Sequence, residues 1–420
     1  MKVLVIGSGG REHALVWALA RSSHIKQIYN NSTNAGLLRL ATQVNESSIS
    51  GLAKFAESEG IGLTVVGPEQ PLVNGIVDAF TARGLTIFGP PQAAAQLEGS
   101  KVFAKQFMLR HRIPTARAVF CDDQETALKA VSNGTFQYPL VIKADGLAAG
   151  KGVVVSEDES IARQTIQEFM AGQKLGAAGN RLLIEECLVG RELSYLIFAD
   201  GKSYHVLPVA QDHKRAFDGD QGPNTGGMGV FSTPGLLDEA LERRIVREIV
   251  EPSLAGTEAD GLAFRGVLFI GLMLTAEGPQ VLEYNVRLGD PETQAVLRRL
   301  DSDLAELILA ATRGELEQVK PVWSHDSTSC VVMASAGYPG NYPSGKVITG
   351  ITNAEQIERV TVFQAGTRQR DDGAIETAGG RVLAVTARAE MLAAATNLAY
   401  QGIAAIQFDG AHFRRDIGTR

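Results

Sequence analysis

The segment VLEYNVRLGDPETQ, residues 281–294, contains a carboxylate, an amide and a guanidinium that are spaced two residues apart. Because alternate side chains of a strand share a face, Glu283 and Asn285 point the same way, and Arg287 continues their spacing. A carboxylate and an amide oxygen form a hard-oxygen site that suits a Mg²⁺ ion bridging nucleotide phosphates. Arg287 can stabilise charge on a phosphoryl group in transfer. A salt-bridged strand edge is the competing interpretation, but it explains poorly why the three groups precede a Gly-Asp-Pro turn.

A glycine-rich loop follows an apolar strand in KADGLAAGKGVVV, residues 143–155. With Gly146, Gly150 and Gly152, this loop is able to close over phosphate groups, which its amides and Lys151 would face. It is not a P-loop, because the GxxxxGK[ST] pattern requires Ser or Thr where Gly152 stands. A plain β-turn is the alternative interpretation.

Three carboxylates lie in IEECLVGRELS, residues 184–194. Glu185, Glu186 and Glu192 suit the adenine amino group and the ribose hydroxyls, which are hydrogen-bond donors. Leu188 is placed to line the base or to offer it a backbone group. On its own, this segment would be interpreted as a solvated acidic turn.

The segment GSGGREH, residues 7–13, stands between a strand and a helix, where dinucleotide folds hold a pyrophosphate. Glu12 occupies the position of the third glycine in GxGxxG, and the acid expected about 20 residues later is missing. These departures argue against a nicotinamide cofactor. We instead expect the amides of Gly9 and Gly10, helped by Arg11, to bind a monophosphate; glycines that only tighten the turn are the simpler alternative.

Short apolar runs alternate with helical patterns over the first hundred residues, which predicts a doubly wound parallel α/β sheet. The sequence GPPQ at 89–92 breaks this pattern and marks a first boundary. The middle block is predicted to be α+β with antiparallel strands, including a hairpin formed by 266–274 and 280–284. A polar stretch near 314–326 marks a second boundary, before a last block of strands and a helix near 390–400.

The chain has 420 residues, of which 45% are hydrophobic, and a formal net charge of -7. At about 150 residues per domain this length predicts roughly three domains, and the apolar content excludes a disordered chain. The acidity argues against nucleic acid or an anionic membrane as a partner. Its apolar stretches are shorter than the ~20 residues of a membrane span, and its three cysteines form neither a disulfide framework nor a zinc site. We therefore expect a soluble, cytoplasmic monomer without a signal peptide.

Taken in order, these motifs resemble the ATP-grasp enzymes, and the fuller match is to one family among them, the phosphoribosylamine–glycine ligases. RLGDPETQA at 287–295 and DHKRAFDGDQGPNTGGMG at 212–229 are the most specific parts of this resemblance. Shorter motifs extend it over the whole chain: GSGGREHAL at 7–15, NAG at 34–36, VGPEQPLVNG at 66–75, QLEGSK at 96–101, GYPG at 337–340 and GGRVL at 379–383.

The resemblance implies a fold in three parts. Residues 1–100 would form an N-terminal α/β substrate-binding domain, residues 101–325 a two-lobed ATP-grasp domain, and residues 326–420 a small C-terminal domain. Within the ATP-grasp domain, a mobile lobe would span about residues 120–190.

The resemblance also assigns residues to ATP and to a metal ion. Glu283 and Asn285 would ligate Mg²⁺ or Mn²⁺, without an acidic ligand on the preceding strand, where Gly271 stands. Ser32 and Thr33 replace the Pro and Gly that are usual in this substrate loop of the family. The ATP-binding residues would be Lys105, Lys143, Gly150, Lys151, Gly152, Glu185, Glu186, Leu188 and Glu192.

The reaction implied by the resemblance joins glycine to 5-phosphoribosylamine with ATP, giving glycinamide ribonucleotide, ADP and phosphate through a glycyl phosphate. Such a reaction needs no nucleophilic side chain, so the protein supplies positioning and charge stabilisation. Arg287 and Lys143 would be catalytic, and Asp212 would hold the ammonium group of glycine. The substrate-binding residues would be Gly9, Gly10, Asn34, Glu69, Asp212, Gly226, Gly227 and Met228.

Two other classes of protein share parts of this pattern. A different ATP-grasp ligase or carboxylase would keep Lys105, Lys143, Glu283 and Asn285, but not the two long motifs. A non-catalytic nucleotide sensor would have little use for a metal-binding pair followed by an arginine.

Overall fold

The computed structural model describes residues 1–148, 152–170 and 175–419, and its N-terminal part is a parallel sheet. The strands of this sheet are β1 (Lys2–Ile6), β2 (Gln27–Asn30), β3 (Thr42–Gln43), β4 (Leu63–Val66) and β5 (Ile87–Phe88). They pair in the order β3-β2-β1-β4-β5, all in parallel, which confirms the predicted doubly wound sheet. The accompanying helices are α1 (Gly10–Leu19), α2 (Ala35–Leu38), α3 (Ile49–Glu59), α4 (Glu69–Val73), α5 (Ile76–Thr81) and α6 (Gln92–Gly99).

An antiparallel sheet of four strands forms the next part, which we call the small lobe (residues 118–186). After α7 (Lys101–Arg110), its elements are β6 (Ala118–Cys121), α8 (Gln124–Ser132), β7 (Leu140–Ala144), β8 (Val153–Ser156), α9 (Glu159–Met170) and β9 (Leu182–Glu186). The strands pair in the order β6-β9-β7-β8. Buried apolar side chains of both helices and of the sheet form a core of their own, among them Ala130, Ile142, Ile166 and Ile184.

A second antiparallel sheet forms what we call the large lobe. The chain continues through β10 (Arg191–Ala199), β11 (Tyr204–Val206), β12 (Gln211–Asp212), β13 (Arg215–Phe217), β14 (Gln221–Asn224), β15 (Gly229–Ser232), α10 (Glu239–Ile245), α11 (Glu251–Ala259), β16 (Gly266–Thr275) and β17 (Gly278–Asn285). Strands β11, β10, β16 and β17 pair in that order to form the sheet. The predicted hairpin is therefore confirmed as β16 and β17.

The C-terminal sheet draws strands from two distant parts of the chain. The last elements are α12 (Glu292–Val296), α13 (Leu304–Arg313), β18 (Ser327–Ala334), β19 (Val347–Ile348), α14 (Ile351–Glu355), β20 (Val360–Gln364), β21 (Thr367–Gln369), β22 (Ile375–Thr377), β23 (Arg381–Ala389) and α15 (Leu392–Ala405). The larger sheet has the order β12-β15-β18-β23-β20, and β19, β22 and β21 form a smaller one. The motif at 212–229 thus starts and ends in strands of the C-terminal sheet.

Apolar packing joins the N-terminal sheet to the large lobe. The stacked rings of Phe88 and Phe198, whose centroids are 5.4 Å apart, lie at this junction. Leu4 of β1 and Leu268 of β16 belong to one buried cluster, and Val5 of β1 and Val267 of β16 belong to a second. None of the helices in the described ranges is both long enough and apolar enough to span a membrane.

Candidate active site

The candidate site lies where the small lobe meets β17 of the large lobe. The Nζ of Lys143, near the end of β7, donates a hydrogen bond to the carbonyl oxygen of Leu282 over 3.0 Å. The amide of Val281 donates to the carbonyl of Pro114 over 2.8 Å, and the Thr115 hydroxyl donates to the carbonyl of Val281 over 2.7 Å. Residues expected at the ATP phosphates and residues expected at the metal therefore meet along β17.

Two lysines and a glutamate form a buried cluster of charges between α7 and the small lobe. Lys105 extends from α7, Lys143 from β7 and Glu185 from β9. The carboxylate oxygens of Glu185 lie 2.7 Å from the Nζ of Lys105 and 2.6 Å from the Nζ of Lys143, and all three side chains are buried. Lys105 also donates to the hydroxyl of Thr115 and the carbonyl of Ala116.

The cluster fixes the charge of Glu185. Burial disfavours its ionised form, but the neighbouring ammonium groups of Lys143 and Lys105 outweigh burial and hold the pKa of Glu185 below its ordinary value. The Oε1 atom lies 2.7 Å from the Nζ of Lys105 and is ion-paired with it. The two lysines are therefore the contacts of Glu185 in the structure, and its contact with the adenine amino group stays a prediction.

Strand β17 presents the two oxygen ligands predicted for a metal ion. Glu283 and Asn285 are both half-buried, whereas Tyr284 between them is buried in the core. Gly271 of β16 pairs directly with Glu283, as the sequence predicts. No group in the described ranges makes a hydrogen bond or an ion pair with the Glu283 carboxylate; burial opposes its ionisation, but nearby ammonium groups, that of Lys214 above all, lower its pKa. An unpaired carboxylate beside an amide oxygen fits a small divalent cation.

Arg287 is held just beyond β17 by two carboxylates and by Asn285. Its Nη2 lies 2.7 Å from Glu98 Oε1 and 3.1 Å from Asn285 Oδ1, and its Nε lies 3.3 Å from Glu69 Oε2. The amide of Val286 donates to the other oxygen of Glu98 over 2.8 Å. Burial opposes the charge of Arg287, but Glu98 and Glu69 raise its pKa. The structure thus brings together three predicted residues and adds Glu98.

Two substrate motifs meet through an arginine of the C-terminal sheet. Nη1 of Arg381, at the start of β23, donates to the carbonyl oxygens of Gly226 and Asp290, both at 2.6 Å, and lies 3.3 Å from the Asp290 carboxylate. Gly227 has a φ of +108°, and a Cβ there would lie 2.5 Å from Cδ of Pro291. Only glycine fits this position, because the backbone is left-handed and the neighbouring ring is in contact.

Asp212 and Lys214 begin one of these motifs and lie close to the nucleotide side of the site. The Nζ of Lys214 is 3.0 Å from the carboxylate of Glu192, a side chain that is nearly half exposed. Burial opposes the charge of Lys214, but Glu192 and Glu283 raise its pKa. Burial and the neighbouring Glu292 raise the pKa of Asp212 above its ordinary value. Three predicted residues, Asp212, Glu192 and Glu283, therefore surround a lysine that sequence analysis did not single out.

Carboxylates occupy the first glycine loop. The amide of Gly9 donates to Glu12 Oε2 over 2.5 Å, and the amide of Arg11 faces Asp290 Oδ2 at 3.4 Å. The guanidinium of Arg11 turns inward and lies 2.5 Å from Glu12. A Cβ on Gly10 would lie 2.6 Å from a side-chain nitrogen. Acids thus lie beside the amides where the anion was expected and the glycines allow close packing, and the monophosphate contact at Gly9 and Gly10 stays a prediction.

Two further predicted substrate residues have structural roles. The side-chain amide of Asn34 donates to three carbonyl groups, among them that of Gln364, and its Oδ1 accepts from Gly36 at the start of α2. The Met228 side chain is completely buried. The polar atoms of Asn34 are thus occupied by the protein and Met228 exposes no surface, so the substrate contacts of these two residues stay predictions.

The remaining residues predicted to bind ATP lie at the edge of the small lobe or outside the described ranges. Glu186 pairs with the exposed Arg117 at 2.7 Å, and Leu188 is half-buried just after β9. Gly152 is buried just before β8, where a Cβ would lie 2.7 Å from another side chain. Gly150 and Lys151 lie outside the described residues.

Three family models match consecutive parts of this chain. They describe phosphoribosylglycinamide synthetase: its N domain matches residues 1–98, its ATP-grasp (A) domain residues 99–293, and its C domain residues 328–420. The chain belongs to the phosphoribosylamine–glycine ligase family.

Other phosphoribosylamine–glycine ligases resemble the chain over its whole length. The enzyme from Allochromatium vinosum is 49% identical, with 100% of this chain and 98% of that protein covered. The enzyme from Chlorobaculum tepidum is 48% identical, with both chains covered completely. The crystal structure of the Thermotoga maritima enzyme has a TM-score of 0.87 at 34% identity and covers 99% of this chain and 100% of its own. The predicted resemblance and fold class are confirmed, and the chain is an ATP-grasp ligase of purine biosynthesis.

Sequence analysis missed several charged residues inside the motifs that point to the phosphoribosylamine–glycine ligases. Glu98 and Lys101 lie in QLEGSK, Lys214 in DHKRAFDGDQGPNTGGMG, Asp290 in RLGDPETQA and Arg381 in GGRVL. Each contacts or faces a residue of the site in the structure. The sequence did contain a sign of these residues. A charged side chain within a family-specific motif is a candidate site residue even where no spacing rule selects it.

Proposed function

We propose that this chain forms the amide bond between glycine and 5-phosphoribosylamine with cleavage of ATP. An oxygen of the glycine carboxylate attacks the γ-phosphorus, the bond to the β-phosphate oxygen breaks, and ADP leaves. The amine nitrogen then attacks the carbonyl carbon of the glycyl phosphate. Phosphate leaves with the electrons of the C–O bond, and the nitrogen loses a proton, so that the products are glycinamide ribonucleotide, ADP and phosphate.

The position of Lys143 is the observation that carries this proposal. Its Nζ lies 2.6 Å from Glu185 and 3.0 Å from the carbonyl oxygen of Leu282, the residue before Glu283. A cation for phosphate groups thus stands beside the strand that presents hard oxygen ligands. Together with Lys105, this supports binding of the ATP phosphates between the small lobe and β17.

Glu283 and Asn285 are the residues we assign to Mg²⁺ or Mn²⁺. A divalent cation held there neutralises phosphate charge and orients the phosphate chain. The pairing of Glu283 with Gly271 supports a site with two side-chain ligands, because a glycine contributes none. Arg287, fixed by Glu98 beside Asn285, is positioned to stabilise charge on the transferred phosphoryl group.

The acceptor end of the site is assigned to the C-terminal side of the cleft. Asp212 is our candidate for the ammonium group of glycine, since an arriving cation favours the ionised form of a carboxyl group whose pKa is raised. Gly226 and Gly227 shape the wall next to it. Arg381, which joins Gly226 to Asp290, is our candidate for an anionic group of the ribosylamine.

The test is ADP release in the steady state with ATP, a divalent cation, glycine and 5-phosphoribosylamine, and then with each component omitted in turn. We expect ADP release to require all of them and a product with the mass of glycinamide ribonucleotide. Bicarbonate in place of glycine provides the control for a carboxylase. ADP release that does not depend on glycine, or that bicarbonate supports equally well, would reject the proposed function.

A further inference from the structure

The segment 212–229, here called the substrate loop, is anchored at both ends and exposed in the middle. It begins in β12 and ends in β15, which are neighbours in the C-terminal sheet. Between them, β13 and β14 form a two-stranded hairpin whose turn, Asp218–Asp220, is exposed. An isolated two-stranded hairpin is only marginally stable in water. The contacts that hold it come from residues 412–417, here called the C-terminal clasp.

A buried guanidinium is the centre of this contact. Nη1 of Arg414 donates to the carbonyl of Arg215 over 3.1 Å and to the carboxylate of Asp220 over 2.8 Å. Its Nε and Nη2 donate to the two oxygens of Asp416, both at 2.7 Å, and its side chain has 0% exposure. Asp416 also accepts from the amide of Gly219 over 2.9 Å. Arg414 thus links the clasp to β13 and to the turn of the hairpin.

Three other contacts reinforce the same junction. The amide of Arg415 donates to the carboxylate of Asp218 over 2.7 Å. Nε2 of His412 lies 2.8 Å from the carbonyl oxygen of Ala216, and its ring packs edge-on against Phe217 with centroids 5.4 Å apart. The clasp therefore contacts the hairpin from the end of β13 through the turn.

The clasp is itself fixed to the last helix and to the end of the substrate loop. The Tyr400 hydroxyl of α15 donates to the carbonyl of Arg414 over 2.9 Å and accepts from the amide of Ile417 over 3.2 Å. Ile417 is buried against Gly229, where a Cβ would lie 2.7 Å from its Cδ1 atom. Contacts thus run without a break from α15 through the clasp to the substrate loop.

We propose that Arg414 is a positioning residue that holds the substrate loop in its active geometry. The loop presents Asp212 and Lys214 at its start and Gly226 and Gly227 near its end, and these residues face the site. The inference rests on the proposed function, because it assumes that these groups bind the substrates. Bidentate, charge-assisted hydrogen bonds from a buried arginine are strong enough for this task, and a displacement of about 1 Å in a positioning group costs up to about a hundredfold in rate.

The test compares Arg414→Gln with Arg415→Gln, two neighbouring substitutions that remove the same charge. Arg415 is exposed, its guanidinium lies over Phe413, and the substitution leaves its amide bond to Asp218 in place. In Arg414→Gln we expect amide hydrogen exchange in residues 215–224 to accelerate at least about tenfold, as for loss of a charged hydrogen bond. The KM values for glycine and for the ribosylamine should rise together by roughly tenfold or more. The affinity for ATP with Mg²⁺ should change much less, and Arg415→Gln should match the wild type throughout.

Two further variants separate positioning from a general loss of structure. Arg414→Lys keeps the charge and one hydrogen bond. Its KM values and its exchange rates should therefore lie between those of Arg414→Gln and those of the wild type. If Arg414→Gln does not fold, Asp416→Asn weakens the same junction and carries the same readouts. Exchange rates and KM values equal to those of Arg415→Gln would overturn the proposal. A wild-type enzyme that releases no ADP with these substrates would reject the proposed function, whereas hydrogen exchange would still decide whether Arg414 holds the loop.

Discussion

Replacing Glu185 by glutamine should destabilise the enzyme much more than the same change at Glu186. The Glu185 carboxylate lies 2.7 Å from the Nζ of Lys105 and 2.6 Å from the Nζ of Lys143, and the three side chains are 4%, 1% and 9% exposed. Glutamine has nearly the same shape, but it offers one acceptor oxygen and an NH₂ group that cannot neutralise an ammonium. Two buried ammonium groups would then remain without a counter-charge.

The magnitude follows from the burial of this cluster. Removing one partner of a buried ion pair costs about 3–5 kcal/mol, because the remaining charge stays desolvated. Both lysines keep hydrogen bonds to neutral oxygens, which places the expected loss near the lower end, at about 3 kcal/mol. Glu186 pairs with Arg117, whose side chain is 72% exposed, and exposed pairs contribute only about 0–1 kcal/mol.

The difference in stability between the Glu185→Gln and Glu186→Gln variants should become smaller as the pH rises. Burial holds the pKa of Lys105 below its ordinary value even though Glu185 opposes this shift, and without Glu185 that pKa falls further below the unfolded value of about 10.4. The unfolded chain then binds more protons than the folded one. The loss of stability is therefore complete at a pH below the folded-state pKa of the lysine, and it disappears as the pH rises above the unfolded-state pKa. Urea midpoints of the wild type and both variants, measured near pH 7 and near pH 9.5, test these statements. Equal midpoints for the two variants near pH 7 would refute the compensating role of Glu185.

Two substitutions and one binding measurement test the rest of the site. Glu283→Gln should lower turnover by roughly two to three orders of magnitude and raise the metal concentration needed for half-maximal rate; near-normal turnover would reject the two-ligand metal site. Gly227→Ala should reduce kcat/KM for glycine at least about tenfold, because its φ is +108° and the new Cβ would lie 2.5 Å from Pro291 and 2.8 Å from Asp212; an unchanged value would contradict this reading. Adding the protein should leave NADH fluorescence unchanged, since the Glu12 carboxylate accepts from the amide of Gly9 in the glycine loop; a saturable change in fluorescence would disprove this expectation.

Local periodicity predicted the parts of the site that lie on single elements. Strand alternation placed Glu283 and Asn285 on one face of β17. The position of Gly271 on the preceding strand came from the resemblance to ATP-grasp enzymes, and in the structure this glycine pairs with Glu283. The parallel N-terminal sheet was predictable for the same reason, because its buried strands are short apolar runs separated by helical patterns.

Contacts between distant elements were not predictable in this way. Glu98 and Arg287 are 189 residues apart, and Arg381 reaches Gly226 across 155 residues. No spacing rule connects such pairs, since only the packed domains bring them together. Asn34 is different: asparagine is a preferred residue at the start of a helix, so its capping role was a readable alternative to the predicted substrate contact.

The cations around the site each form an ion pair with a carboxylate of the protein. Lys105 and Lys143 pair with Glu185, Lys214 pairs with Glu192, and Arg287 pairs with Glu98. Buried charges without partners are costly, and these carboxylates reduce the cost of assembling the cations before a polyanion binds. Glu283 has the opposite character, because no described group pairs with its carboxylate while several cations lower its pKa. Phosphate groups therefore match the lysines, and a divalent cation matches Glu283. We infer that the site is complementary in charge to a nucleotide–metal complex rather than to the free nucleotide.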